Sequence, residues 1–152
     1  MPNLITIRQS EPKDAATIAE FNIRMAKETE GIKLDSDTVF KGVVHLIENP
    51  KNGFYLIAEK QAEILGSLMI TTEWSDWRNG DFWWIQSVYV KPEGRRKGIY
   101  SYLYKEVQNM ARLKGDVCGI RLYVEQNNLT AQKAYESLGM KASHYKVYQA
   151  DL

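Results

Sequence analysis

The residues most suited to chemistry lie in one segment, Val88 to Tyr100, in which a strand pattern is followed by a turn and then by a helix pattern. The turn contains three cations and a glycine: Arg95, Arg96, Lys97 and Gly98. The first backbone N–H groups of a helix lack partners within the helix and lie at the positive end of its dipole. Because the glycine permits close approach and the cations add positive charge, the segment predicts a phosphate-binding turn.

Two established phosphate-binding motifs do not fit this turn. A P-loop needs a second glycine ahead of a Gly-Lys-Ser or Gly-Lys-Thr ending, and a dinucleotide fingerprint needs three spaced glycines after an early strand. On spacing alone, a solvated basic turn whose glycine only permits the local geometry explains the segment equally well. The turn by itself therefore leaves the function undecided.

Around this turn, the hydrophobic pattern predicts an alternating order of strands and helices. Apolar and β-branched runs predict strands at 4–7, 54–59, 64–72, 82–90, 120–124 and 145–148. Helical spacing with capping residues predicts helices at 12–27, 36–48, 99–113 and 128–138. The predicted fold class is α/β (α+β), with helices on both sides of a mixed, mostly antiparallel sheet.

Composition limits the domain organisation and the partners. The chain has 152 residues and is 44% hydrophobic, which suits one sizeable core and predicts a single domain over residues 1–152. Its net charge of +1 gives no general attraction to nucleic acid or to an anionic membrane. No apolar run approaches the roughly 18 residues of a membrane span. The lone cysteine, Cys118, is expected to be buried, and a reducing cytoplasm is the expected location.

Two motifs in the chain resemble those of the GNAT family of N-acetyltransferases. Arg95 and Gly98 match its acetyl-coenzyme A loop, which reads Arg or Gln, two residues, Gly, one residue, then Gly or Ala; Tyr100 replaces the last, small residue. The second family signature is an asparagine, a spaced alanine and tyrosine, and a glycine before an aromatic residue. Four residues match it, with methionine in place of the aromatic: Asn128, Ala131, Tyr135 and Gly139. The order of strands and helices also agrees, so the resemblance covers essentially the whole chain.

This resemblance implies acetyl-coenzyme A as cosubstrate and no metal ion. It implies that the backbone of Val88 and Val90 pairs with the pantetheine arm, while their side chains serve the core. It also implies that the pyrophosphate lies over the turn and the start of the helix: Arg95, Arg96, Lys97, Gly98, Ile99 and Tyr100. Asn128 would contact the coenzyme or order the next strand. Asparagine is also a preferred helix N-cap, and the two roles are compatible.

The resemblance further implies a catalytic acid. Tyr135 matches the family tyrosine that lies near the coenzyme sulfur and protonates the departing thiolate; packing of its helix against the sheet is the other interpretation. In some members a glutamate on the strand before the loop directs a water that deprotonates the amine. Here the neighbouring positions hold Trp84 and Gln86, neither of which is a base. Three other residues are candidate bases or simply surface side chains: Glu73, Glu125 and His144.

Aromatic residues are concentrated on two predicted strands and the turn between them: Trp74, Trp77, Phe82, Trp83 and Trp84. Alternation places Trp84, Gln86 and Val88 on one face of the strand. Trp84 and Gln86 are therefore expected to line the groove that binds the acceptor. Core packing and a homodimer surface are the other interpretations, because aromatic residues are frequent in both.

The function implied is transfer of the acetyl group of acetyl-coenzyme A to a primary amine of a small molecule, peptide or protein. Because no acid stands at Trp84 or Gln86, a non-catalytic coenzyme A-binding sensor is the alternative. A third hypothesis is an interaction module whose basic turn binds no coenzyme.

Overall fold

The computed structural model describes residues 4–152, and its sheet has five strands in the order β1-β2-β3-β4-β5. The strands are β1 Thr6–Gln9, β2 Gly53–Lys60, β3 Glu63–Ser75, β4 Gly80–Val90 and β5 Val117–Arg121. Pairing is antiparallel from β1 through β4, and β4 pairs with β5 in parallel. The predicted mixed, mostly antiparallel sheet is confirmed.

The helices are α1 Ala15–Glu30, α2 Ser36–Glu48, α3 Ile99–Lys114 and α4 Leu129–Ser137. Two 3-10 turns, Pro12–Asp14 and Pro92–Gly94, precede α1 and the basic turn. Asp35 is the N-cap of α2, since its carboxylate accepts a hydrogen bond from the Thr38 amide at 2.9 Å. No described helix is long and apolar enough to cross a membrane.

The chain forms two compact units, one ending at Leu122 and one covering Tyr123–Leu152. The first unit contains the sheet with α1, α2 and α3, and the second contains α4 and the C-terminal segment. On one face of the sheet, Tyr55 and Ile57 pack with buried residues of both α1 and α2.

The opposite face of the sheet packs against α3. Successive side chains of a strand point to opposite faces, so Leu56 and Ala58 lie on the face away from Tyr55 and Ile57. A methyl group added at Gly66, which pairs with Ala58, would lie 3.3 Å from a side-chain carbon of Ile99 at the start of α3. Both faces of the sheet are therefore covered by helices, as predicted.

β4 contains a bulge near its C-terminal end. Ser67 pairs with Tyr89 and Met69 pairs with Gln86, so two steps along β3 correspond to three along β4. Ser87 has φ +53°, which is unusual for a residue with a side chain. Simple alternation from Gln86 to Val88 therefore does not hold, and Tyr89 shares the face of Gln86.

Three predictions in the C-terminal third are corrected. The strand predicted at 120–124 occupies Val117–Arg121, about three residues earlier. The closing strand predicted at 145–148 is wrong: residues 141–152 are all exposed and form no strand, because they bury no face that would stabilise one. The prediction that Cys118 is buried is also wrong, since it is exposed on β5, the edge strand of the sheet.

Candidate functional site

The basic turn connects the end of β4 to the first residue of α3. The Lys91 amide donates to the Leu65 carbonyl at 2.8 Å, which anchors the turn to β3, and the Gly94 amide donates to the Lys91 carbonyl at 2.8 Å within the turn. Gly98 is the N-cap of α3 with φ +76°, a left-handed conformation that glycine adopts without steric cost. Arg96 is also left-handed, with φ +63°. Left-handed residues in such a turn can direct neighbouring N–H groups toward one side, which is how backbone nests bind anions.

Unsatisfied backbone donors are concentrated in this turn. In residues 4–152, the amides of residues 96–99 have no hydrogen-bond acceptor. The first bond at the helix start is donated by the Tyr102 amide to the Gly98 carbonyl at 3.0 Å. Gly98 has no side chain to cap the helix, and the space around its Cα is open apart from a Tyr102 ring carbon. The turn therefore fits a pyrophosphate, which needs several backbone donors and close approach.

The three cations of the turn differ in their contacts. Arg95 Nε donates to the Val90 carbonyl at 2.9 Å, and its Nη2 donates to Glu28 Oε2 at 2.7 Å. This hydrogen bond lowers the pKa of Glu28 below its ordinary value. Arg96 and Lys97 are exposed, and neither makes an ion pair within the described chain. Arg95 is thus directed toward α1, while the other two cations remain available to a ligand.

The strand before the turn has an open side. β5 pairs with β4 only from Asp81 to Trp84. Beyond Trp84, the described sheet has no strand on that side of β4, where Val88 and Val90 lie. Both valines are half-buried. An uncovered strand edge presents backbone groups that can pair with an extended ligand.

Trp84 and Gln86 lie on the face of the sheet that carries Met69 and Thr71. Gln86 Nε2 donates to Thr71 Oγ1 at 2.6 Å, and Trp84 Nε1 donates to Glu73 Oε1 at 2.8 Å. The structure thus brings the two residues predicted to bind the acceptor together on one face, each held by a polar side chain of β3.

Glu73, one of the candidate bases, is bound by two donors. Besides Trp84, Arg121 donates through Nη1 to Glu73 Oε1 at 3.1 Å. The Arg121 guanidinium also lies 3.5 Å from the centre of the Phe82 ring. These contacts fix the position of the Glu73 carboxylate beside Trp84 and Arg121.

The tryptophans divide between core and surface. Trp83 is only 3% exposed and packs edge-to-face on Phe54, with the ring centres 5.4 Å apart. Trp74 and Trp77, near the tip of the β3–β4 hairpin, are 64% and 84% exposed. Trp84 is half-buried. Core packing therefore accounts for one tryptophan, and the hairpin tip leaves two at the surface.

In the second unit, α4 carries Asn128 and Tyr135. Asn128 is its N-cap, because its side-chain oxygen accepts from the Ala131 amide at 3.2 Å. The capping interpretation of Asn128 is thus observed. Tyr135 is half-buried, and this burial raises the pKa of its phenol above the ordinary value.

Glu125 and His144, the remaining candidate bases, are both exposed residues of the second unit. Glu125 accepts a hydrogen bond from the Asn127 amide at 2.7 Å, which closes a turn before α4. The ring centres of His144 and Tyr145 are 4.2 Å apart. These contacts fit the surface roles that were the alternatives for both residues.

A cleft of about 510 Å³ lies at the other end of α3 and contains none of the predicted site residues. Its walls include Phe54, Trp83 and Met110, with Lys51 and Lys114 among the polar residues. Within residues 4–152, no group of three or more His, Cys, Asp or Glu side chains is arranged to hold a metal ion.

Comparison with known proteins decides the family. The model described as "Acetyltransferase (GNAT) family" matches residues 18–140, which is most of the chain. The chain belongs to the GNAT acetyltransferase family. No curated protein matches this GNAT acetyltransferase at a significant level.

Solved structures resemble the GNAT acetyltransferase over nearly its whole length. A possible acetyltransferase from Clostridium difficile 630 is 45% identical, with 98% of each chain covered and a TM-score of 0.92. A predicted acetyltransferase with acetyl-CoA from Clostridium acetobutylicum is 18% identical over 97% of this chain and 96% of that one, with a TM-score of 0.79. The ribosomal-protein-alanine N-acetyltransferase from Brucella melitensis biovar Abortus 2308 is 16% identical over 98% and 99%, with a TM-score of 0.79. The last two show the fold alone.

Glu28 and Tyr89 contribute to the turn, but the sequence did not single them out for this role. Tyr89 Oη donates to Glu28 Oε1 at 3.0 Å, beside the bond from Arg95 to the same carboxylate. Glu28 and Arg95 are 67 positions apart in the chain, so no local spacing links them. One feature of the sequence could have indicated a role for Glu28. It is an acidic residue in the last turn of α1, where the helix dipole disfavours negative charge.

Proposed function

We propose that this GNAT acetyltransferase binds acetyl-coenzyme A and transfers the acetyl group to a primary amine of a small molecule, peptide or protein. The observation that carries the proposal is the set of unsatisfied amides at residues 96–99, at the start of α3. The geometry of the turn suits a pyrophosphate, and the family uses acetyl-coenzyme A. When bound, the coenzyme supplies an activated acetyl thioester.

For the donor, we propose backbone binding by two adjacent parts of the first unit. Val88 and Val90 would pair with the pantetheine arm through the open side of β4. The proposed pyrophosphate turn consists of Arg95, Arg96, Lys97, Gly98, Ile99 and Tyr100. Within it, the amides of residues 96–99 and the charges of Arg96 and Lys97 are those with no partner in the described chain. Asn128 is proposed as a further contact to the coenzyme, in addition to capping α4.

For proton transfer, we propose Tyr135 as the general acid. Its raised pKa keeps the phenol protonated at neutral pH, so the residue holds the proton that the leaving sulfur requires. A phenol is a weaker acid than a thiol, so the proton would pass from the Tyr135 hydroxyl to the sulfur as the carbon–sulfur bond of the tetrahedral intermediate breaks. The phenol hydroxyl is the only group of Tyr135 that can perform this step.

For the acceptor, we propose that Trp84 and Gln86 line the binding groove. Gln86 is held by Thr71 and Trp84 by Glu73, so both side chains are oriented before an acceptor arrives. Neither is a base, and we propose that a water near Gln86 removes the proton from the amine. An amine that is partly unprotonated at the working pH needs no strong base.

The experiment that tests this function measures binding and turnover separately. Calorimetry with acetyl-coenzyme A should give saturable binding. A panel of polyamines, amino acids, aminoglycosides and peptides with free N-termini should then show acceptor-dependent release of free thiol. Absence of acetyl-coenzyme A binding would refute the proposal.

A non-catalytic coenzyme A sensor is the second candidate, and it is favoured by the lack of a carboxylate at Trp84 and Gln86 and by the engaged state of Glu73. It predicts saturable coenzyme binding without thiol release for any amine in the panel. Acceptor-dependent release at a catalytic rate would exclude it.

A further inference from the structure

The Arg95 side chain connects three parts of the first unit. Its Nε–H binds the carbonyl of Val90, the last residue of β4, at 2.9 Å. Its Nη2 binds Glu28, in the last turn of α1, at 2.7 Å. Its guanidinium carbon lies 5.5 Å from the centre of the Tyr89 ring. Through these contacts, the Arg95 side chain is held against the end of β4, the strand that precedes the turn.

The carboxylate that receives Arg95 is itself fixed by the core. Tyr89 Oη donates to Glu28 Oε1 at 3.0 Å, so each oxygen of the carboxylate has a donor. The Tyr89 ring packs on Phe21 of α1 with the ring centres 5.1 Å apart, and both rings are at least 96% buried. Exposed ion pairs usually contribute little because both side chains move freely. Here Glu28 and Arg95 are about half exposed, but both are anchored to buried or backbone groups.

The residue that follows this anchored arginine begins the left-handed turn. Arg96 has φ +63°, and the amides of residues 96–99 follow directly. An arginine that bound phosphate would have to leave Glu28 and the Val90 carbonyl, whereas Arg96 and Lys97 have no ion-pair partner to leave within the described chain.

We propose that the Glu28–Arg95 pair positions the turn, and that Arg96 and Lys97 supply the positive charge at the phosphates. Arg95 is then a positioning residue that acts through the backbone of the turn. This inference rests on the proposed function, because it assigns roles to residues at the coenzyme turn. It assigns Glu28, which lies in a different element, to the same site.

The test is a double-mutant cycle measured by calorimetry with acetyl-coenzyme A. Glu28→Gln and Arg95→Gln should each weaken binding by about tenfold, and the double variant should be no weaker than either single variant. Arg96→Gln and Lys97→Gln are the matched controls. Each should weaken binding, and in a double variant its loss of binding free energy should add fully to that of Glu28→Gln. If Arg95→Gln weakens binding while Glu28→Gln leaves it unchanged or strengthens it, Arg95 is a phosphate ligand and the proposal is overturned.

A second readout requires no coenzyme. Hydrogen exchange of the Lys91 and Gly94 amides, which are bonded to Leu65 and Lys91, reports the closure of the turn. Both amides should exchange several-fold faster in Glu28→Gln and Arg95→Gln, and at the parent rate in Arg96→Gln. Unchanged exchange in the first two variants overturns the inference. Absence of coenzyme binding by the parent protein would instead refute the proposed function.

Discussion

Gly98 is the residue whose type most directly determines the shape of the turn. Its φ of +76° costs a residue with a side chain about 1–2 kcal/mol, although the space around it is open. In Gly98→Asp, this strain combines with repulsion between a carboxylate and phosphate. We expect acetyl-coenzyme A affinity to fall by at least about a hundredfold in calorimetry, since each tenfold corresponds to about 1.4 kcal/mol.

Gly115 provides a matched control at the other end of α3. It has φ +86° and open space around it, so Gly115→Asp introduces comparable strain and the same charge. Its coenzyme affinity should stay within about twofold of the parent. Equal losses in the two variants would mean that helix α3 as a whole, and not its N-terminal turn, determines binding.

Tyr135 provides the second prediction at the residue scale. Tyr135→Phe removes only the hydroxyl, so acetyl transfer should slow by about a hundredfold while coenzyme affinity stays within about twofold. Single-turnover release of free thiol measures the chemical step, and calorimetry measures affinity. Tyr148→Phe is the control, because Tyr148 is 90% exposed in the same unit. Transfer at the parent rate by Tyr135→Phe would exclude the phenol as the acid.

The local part of the site could be predicted from residue types and spacing. The turn, its glycine and the helix that follows are close in sequence, so Arg95, Gly98 and Ile99 were found together. The partner of Arg95 was not, because Glu28 is brought to it by the packing of α1 on β4. Whether an arginine faces a ligand or a carboxylate depends on such tertiary contacts, which a local pattern does not contain.

At the scale of elements, an ionic cluster joins β1, β2 and the start of α1. Arg8 contacts both oxygens of Asp14 at 2.8 and 3.0 Å and also binds Glu59 at 3.0 Å. Asp14 is only 3% exposed and accepts a further bond from the Glu11 amide at 2.7 Å. The cluster thus holds the first helix to the edge of the sheet.

Asp14→Asn should lower the free energy of unfolding by about 3 kcal/mol, because it leaves the Arg8 charge partly unpaired in a shielded position. Urea denaturation measures the change. Asp37→Asn, at an exposed position in the first turn of α2, is the control and should lower the free energy of unfolding by less than about 1 kcal/mol, the usual size of a helix-dipole interaction. A loss for Asp14→Asn as small as this would show that the cluster contributes little.

The same cluster predicts a pH dependence of stability. The hydrogen bonds from Arg8 hold the pKa of the Asp14 carboxyl below its usual value, and Arg8 stays charged throughout. A lowered carboxyl pKa contributes stability above the unfolded value of about 3.9, and the contribution is lost as the pH falls through the folded value. Urea denaturation should therefore show the parent losing stability below about pH 4 more steeply than Asp14→Asn. Parallel curves would contradict this assignment.

The elements could be predicted where their pattern is local. Helical periodicity located α3, and β-rich runs located β2, β3 and β4. The bulge at Ser87 was missed because it arises from the register of β4 against β3. The closing strand at 145–148 was predicted wrongly because alternation of residue types occurs without a sheet face to bury it.

For the molecule as a whole, the buried Trp83 and the exposed Trp77 are expected to affect the free energy of unfolding very differently. Trp83→Ala should lower the free energy of unfolding by about 3–5 kcal/mol, since it removes a large side chain from the core against Phe54. Trp77→Ala, at a site 84% exposed, should change it by less than about 0.5 kcal/mol. Chemical denaturation followed by circular dichroism measures both. A large loss in Trp77→Ala would indicate that the hairpin tip is buried, for example in an assembly.

The open side of β4 has a consequence for how this site can vary. In the proposed complex, the pantetheine arm pairs with the backbone groups of Val88 and Val90. Every amino acid except proline provides both of these groups. The side chains at these two positions are then constrained only by the packing around them. Binding of the coenzyme then does not depend on which side chains occupy these positions. Core residues next to the site can therefore be substituted while acetyl-coenzyme A remains the acetyl donor.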